Sequence, residues 1–206
     1  MSRSALLALA VLLFGLAGCG GILPAPPPPP MLYRLTPLAA AAPAQPSVAV
    51  QLVVAVPAAP SGLDTERIAL SRSPTSIDYF ANAAWTDRVP LMVQTGLVES
   101  LENGGQIRVV ARQSPDMRAD AVLAVDLRHF EAVYRGAGPP ELRIELDCRL
   151  VRSADRTVIA VKSFAGTVRA SENGTPAIVA GFDEAFHAAM RELVPWTAAN
   201  LASLAR

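Results

Sequence analysis

The sequence predicts an α+β domain, a mainly antiparallel sheet with two helices packed on one face, and three observations carry that prediction. Glu141 to Arg152 alternates strictly between apolar and charged side chains, which marks a strand with one buried and one wet face. Two stretches, one after Asp87 and one after Asn173-Gly174, switch to helical spacing. Short apolar runs bounded by Pro- or Gly-containing turns fill most of the rest. With 206 residues, no internal repeat and no second composition boundary, the chain suits one domain with appendages.

The N-terminal appendage sets the compartment. Met1-Ser2-Arg3 is a short positive start, and Ala5 to Phe14 is an unbroken apolar run. A membrane-spanning helix needs roughly 20 such residues, so the run has the dimensions of a secretory signal instead. Leu16-Ala17-Gly18-Cys19 follows and resembles the lipobox of bacterial lipoproteins. That resemblance implies cleavage before Cys19, with Leu16, Ala17 and Gly18 recognised by the protease and the Cys19 thiol carrying lipid. Residues 1–18 are then the signal peptide, and 19–30 the lipidated cysteine and a Gly/Pro-rich tether. Gly20-Gly21, Pro24 and Pro26 to Pro30 cannot pack; as polyproline II, at ~3.1 Å per residue, the tether reaches roughly 35 Å. Gly20 in place of an aspartate implies, by analogy with lipoprotein sorting, passage to the outer membrane.

The folded domain is expected over 31–206. Met31 to Leu35 reads as a brief strand and Ala39 to Pro46 as a loop. Val48 to Val56, nearly continuous and rich in β-branched residues before Pro57, reads as a buried central strand. Ile68 to Ser73 and Ser76 to Phe80 flank Pro74-Thr75 as a hairpin. Thr86 or Asp87 can then cap a helix with Pro90 in its first turn. Its buried face is Val93, Leu97 and Leu101 with Pro90, Gln94 and Val98, and Gly104-Gly105 stops it. Arg108 to Ala111 is a short strand. Ala121 to Tyr134 alternates until Phe130 falls out of phase, which predicts a bulge near His129. In Glu141 to Arg152 the residues Leu142, Ile144, Leu146, Cys148 and Leu150 point inward. Ala154-Asp155-Arg156 turns into a strand over Thr157 to Val168. Pro176 to Leu193 is an amphipathic helix with Ile178, Phe182, Phe186, Ala189 and Leu193 inward, and Pro195 is expected to kink or restart it.

Candidate chemistry is sparse. Lys+Arg and Asp+Glu balance at 18 each, which argues against nucleic acid as a partner. Two cysteines, Cys19 and Cys148, allow neither a disulfide framework nor a four-cysteine zinc site. His129 and His187 lie far apart in no ligand spacing, so no metal and no cofactor is expected. Glu145 and Asp147 share a strand face, but they alternate with Arg143 and Arg149 as a solvated ladder. Gly136-Ala137-Gly138 lacks the strand-then-helix context of a phosphate loop. No G-x-S-x-G, H-E-x-x-H or S-x-x-K occurs, and no catalytic residue is assigned. Cys148 reads as a buried, inert thiol and His187 as a boundary residue. Trp85 has two roles open to it, a core anchor where strand passes into helix and a partner contact.

Several segments in order carry a family resemblance. Val48 to Pro57, Leu63-Asp64-Thr65-Glu66-Arg67-Ile68, Ile77-Asp78-Tyr79-Phe80 and Ala84-Trp85 through Met92 come first. Ala119-Asp120 and Val125-Asp126-Leu127-Arg128-His129-Phe130-Glu131 follow. Together with the lipobox they resemble the ABC-type transport auxiliary lipoproteins, the PqiC-like group. The resemblance implies a periplasm-facing envelope lipoprotein without catalytic residues, held at the membrane by its lipid. It also implies partnership with an ABC permease and ATPase and an MCE-domain protein, in a system moving lipids or other hydrophobic cargo. Contacts are expected to be modest and largely apolar, in a groove beside the helix that starts near Trp85. Two rival readings are a structural or assembly lipoprotein that handles no lipid and an envelope hydrolase.

Overall fold

The computed structural model describes residues 28–40, 47–114 and 118–204. The signal peptide, the lipobox from Leu16 to Cys19 and most of the tether lie outside the described residues. The elements are β1 (Met31–Tyr33), β2 (Val48–Val54), β3 (Arg67–Ser71), β4 (Asp78–Trp85), α1 (Val89–Asn103), β5 (Ile107–Arg112), β6 (Ala121–Val133), β7 (Glu141–Arg152), β8 (Val158–Arg169) and α2 (Thr175–Leu201).

The strict alternation of β7 places it in the middle of a long antiparallel ribbon, with β6 on one side and β8 on the other. Leu142, Ile144, Leu146, Cys148 and Leu150 are all fully buried. In β6 the inward residues run Ala121, Leu123, Val125 and Leu127, then resume at Phe130 and Ala132. The register shifts between Leu127 and His129, so the expected bulge is present. The second edge of β6 is shared. Its start pairs with β2 and its end with β3, both parallel. Parallel β5 extends the first branch. Antiparallel β4 and then parallel β1 extend the second.

The eight-stranded sheet is therefore mixed, which corrects the mainly antiparallel expectation, while the α+β class holds. Alternation reports which face of a strand is buried but not which way its neighbour runs. The continuous apolar run of β2 does suit parallel pairing: Val53 is buried along with Leu52 and Val54 on either side of it. Both branches curl around one core, on which the helices pack.

Two local expectations about the helices also change. β4 continues to Trp85, the Thr86 N–H donates to the Tyr33 carbonyl at 2.8 Å, and Asp87 accepts from the Arg88 N–H at 2.7 Å. Neither Thr86 nor Asp87 is the cap. The N-cap is Arg88, with no side-chain capping bond among the described residues, and Pro90 follows in the first turn. Gly105 has φ 62° and ends α1 as expected. Pro195 does not restart the helix, because α2 is continuous through it. An interior proline costs about 3 kcal/mol. Pro195 lies on the exposed side, where water can reach the carbonyl it frees, and Leu193, Val194, Thr197, Ala198 and Leu201 keep both flanks buried.

Aromatic packing ties the layers together. Trp85 of β4 meets Phe130 of β6 and Phe182 of α2 edge-on, at centroid distances of 5.6 and 5.4 Å. Phe130 and Phe182 stack at 5.1 Å. At the far end of α2, Trp196 sits edge-on to Phe164 of β8. The inward residues expected for both helices are all buried.

Candidate functional site

The residues singled out by sequence do not converge on one site. Glu145 and Asp147 stand on the outer face of the sheet in a ladder of ion pairs. Arg143 bonds Glu145 at 2.7 Å, Arg128 bonds Asp147 at 2.7 Å, and Arg149 bonds Asp126 at 2.9 Å. Hydrogen bonds from the Ser163 hydroxyl and then from Arg128 hold the Asp147 carboxyl below the usual carboxylate range. A carboxyl held that way stays ionised and has no proton to give near neutral pH.

Cys148 is fully buried on the opposite face. Burial, reinforced by the negative charges of Asp147 and Asp126, pushes its thiol up to about 12. The reactive thiolate is thus almost absent at pH 8. The native protein is expected to leave Cys148 unmodified by maleimide over hours and to label rapidly after denaturation. Rapid labelling of the folded protein at this position would place the side chain on the wrong face of β7.

Trp85 is 1% exposed. Enclosed by Phe130 and Phe182, it has almost no surface to offer a partner, and its position is that of a core anchor.

The N-terminal strap, residues 34–38, was not legible in the sequence. After β1 it runs across the helical layer and is clasped by both helices. The Thr36 N–H and hydroxyl donate to the two carboxylate oxygens of Asp183, at 2.6 and 2.7 Å. His187 Nε2 lies 3.0 Å from the Thr36 carbonyl oxygen and 3.2 Å from its hydroxyl. The Leu38 N–H donates to Ser100 Oγ at 3.0 Å, and Asn103 Nδ2 donates to the Leu38 carbonyl at 2.9 Å.

Thr36, His187 and Asp183 have the composition of a nucleophilic triad but not its geometry. A triad needs the carboxylate at Nδ1 of the imidazole while Nε2 faces the hydroxyl. Here Asp183 Oδ2 is 3.9 Å from Nε2, and both carboxylate oxygens are already taken by Thr36. The cluster fastens the strap, and with it the point where the tether enters the domain.

Between the strap and α1 lies an open groove of about 430 Å³. Leu35, Pro37 and Met92 supply apolar lining; Arg34, Asp87 and Glu99 supply charge. It lies beside α1, where a largely apolar contact groove is expected, but its lining is mixed and Trp85 is not part of it. Among the described residues no group of three or more His, Cys, Asp or Glu is placed to hold a metal ion. Among them, too, no helix is long and apolar enough to cross a membrane.

Comparison with known proteins adds to this geometry. The family model described as "ABC-type transport auxiliary lipoprotein component" matches residues 33–194, from the last residue of β1 into α2. An uncharacterized protein of Bradyrhizobium diazoefficiens is 30% identical over 157 residues, covering 75% of this chain and 41% of that protein. The chain thus spans less than half the length of that curated relative. A crystal structure of a Xanthomonas campestris protein, described under DUF330, is 34% identical with a TM-score of 0.76, covering 82% of this chain and 95% of the other. A solved structure of an uncharacterized protein shares the fold at 15% identity and a TM-score of 0.61, covering 82% of this chain and 99% of that one.

Proposed function

The chain belongs to the ABC-type transport auxiliary lipoprotein family, and from that premise we propose that it is the periplasm-facing accessory component of an ABC transporter carrying an MCE-domain subunit. Its cargo is lipid or another hydrophobic molecule moved across the envelope. The single observation that carries this reading is the family match across the folded domain. The lipobox at Leu16 to Cys19 stands immediately before that domain.

In this reading Cys19 carries the lipid and Gly20 sends the protein to the outer membrane. The tether lifts the domain off the headgroups, and the clasp of Thr36 by Asp183 and His187 fixes where the tether enters the helical layer. The groove beside α1 and the charged outer sheet face offer surfaces for binding, and the protein turns nothing over.

Deleting the gene is expected to give an envelope-permeability or lipid-handling defect. The defect should match in kind and size the one caused by deleting the partner ATPase, with no further loss in the double deletion. Additive defects would place the protein outside that transporter and favour a separate assembly role.

A further inference from the structure

On the outer face of the sheet, away from the strap, a cleft of about 440 Å³ opens between the β3–β4 hairpin and the C-terminal half of β6. We infer that this cleft is a binding site for a phosphate-bearing ligand, held by Arg72, Arg135 and Arg143.

The three arginines come from separate elements, the hairpin, the end of β6 and β7, and all line the same cleft. That concentration stands out in a chain whose formal net charge is zero. Two of the guanidinium groups are partly engaged. One nitrogen of Arg135 bonds Glu141 at 3.2 Å, and one of Arg143 bonds Glu145 at 2.7 Å. Each keeps further N–H donors, since a guanidinium carries five. Arg72 has no carboxylate partner among the described residues and lies 4.9 Å over the ring of Tyr134. The Tyr134 hydroxyl donates to Asn173 at 2.7 Å, which fixes the ring and so the platform under Arg72.

One carboxylate lines the cleft, Glu131, which is 16% exposed and lies 2.9 Å from His129 Nδ1. The cleft therefore offers three guanidinium groups, two of them sharing one nitrogen each with Glu141 and Glu145, and Ser71, Ser73 and Ser76 line it as well. Guanidinium forks match the oxygens of a phosphate two at a time, where an ammonium offers only a point charge. The volume lies within the range of small-ligand sites. A free phosphate and the phosphate of a lipid headgroup share this chemistry. The inference does not depend on the transporter assignment.

The test titrates the full-length lipoprotein, in a nonionic detergent at constant ionic strength, with inorganic phosphate and separately with a short-chain phosphatidylglycerol, read by calorimetry. Arg72 is exposed, so Arg72→Gln should keep the wild-type melting temperature. A charge-assisted hydrogen bond is worth about 1.5–3 kcal/mol, so its loss should weaken binding roughly tenfold or more. Arg143→Gln should weaken binding in the same direction. Saturable heat from phosphate that falls in both variants supports the site and names a free ion as sufficient. Saturable heat from the lipid alone, falling in both variants, supports it and names the headgroup. No binding of either probe, or binding that both variants leave unchanged, overturns it.

Discussion

Replacing Cys19 with alanine is expected to remove the protein from the outer-membrane fraction and leave an uncleaved or soluble precursor that incorporates no fatty acid. In the proposed reading the Cys19 thiol is the nucleophile that takes the lipid, and alanine has nothing to acylate. Acyl chains contribute about 0.8 kcal/mol per buried CH₂, and no described helix is long and apolar enough to cross a membrane in their place. The effect is nearly all or none, larger than any point change in the folded domain. Fatty-acid labelling, intact mass and membrane fractionation read it directly. Label still entering Cys19→Ala would end the lipidation assignment, and wild-type protein wholly in the inner membrane would end the sorting assignment.

Trp85→Ala is expected to cost about 3–5 kcal/mol of folding stability, the range for emptying a large aromatic site from a core. The ring closes a cluster with Phe130 and Phe182, so its loss leaves a void between the sheet and α2 and forfeits two edge-on contacts worth about 0.5–1.5 kcal/mol each. Trp85→Phe should be far milder. The indole Nε1 is buried with no hydrogen-bond partner among the described residues, and phenylalanine fills much of the space without leaving an unsatisfied donor. Urea unfolding of the three proteins separates the cases. Near-wild-type stability in Trp85→Ala, with binding to the transporter lost, would turn Trp85 into a contact residue.

How far the sequence could be read follows from which forces are local. β7 matches its expected span from Glu141 to Arg152 because strict alternation is a property of the strand itself. The bulge near His129 and the inward phase of Cys148 follow from the same period. Strand direction does not, and the parallel pairs of β2 with β5 and β6 join segments distant in sequence.

The extension of β4 to Trp85 is hidden for another reason. Ala81, Ala83 and Ala84 give no hydrophobic contrast, and Asn82, at φ 56°, breaks the alternation. Local chain geometry favours a restart at Pro195, and tertiary burial on both sides keeps α2 continuous through it. The strap was beyond reach, since Thr36 and Asp183 are 147 residues apart and polar side chains carry no period. The one local hint was Asp183 and His187 four residues apart at the border of the apolar stripe of α2.

Affinity purification of the tagged full-length lipoprotein from detergent-solubilised envelopes tests the central assignment most directly, coupled to assays of ester and glycan hydrolysis on the same preparation. An ABC ATPase, its permease and an MCE-domain protein are expected to be recovered together, with no turnover above a buffer control. Recovery of none of these components, with measurable hydrolysis by the purified protein, would contradict the assignment.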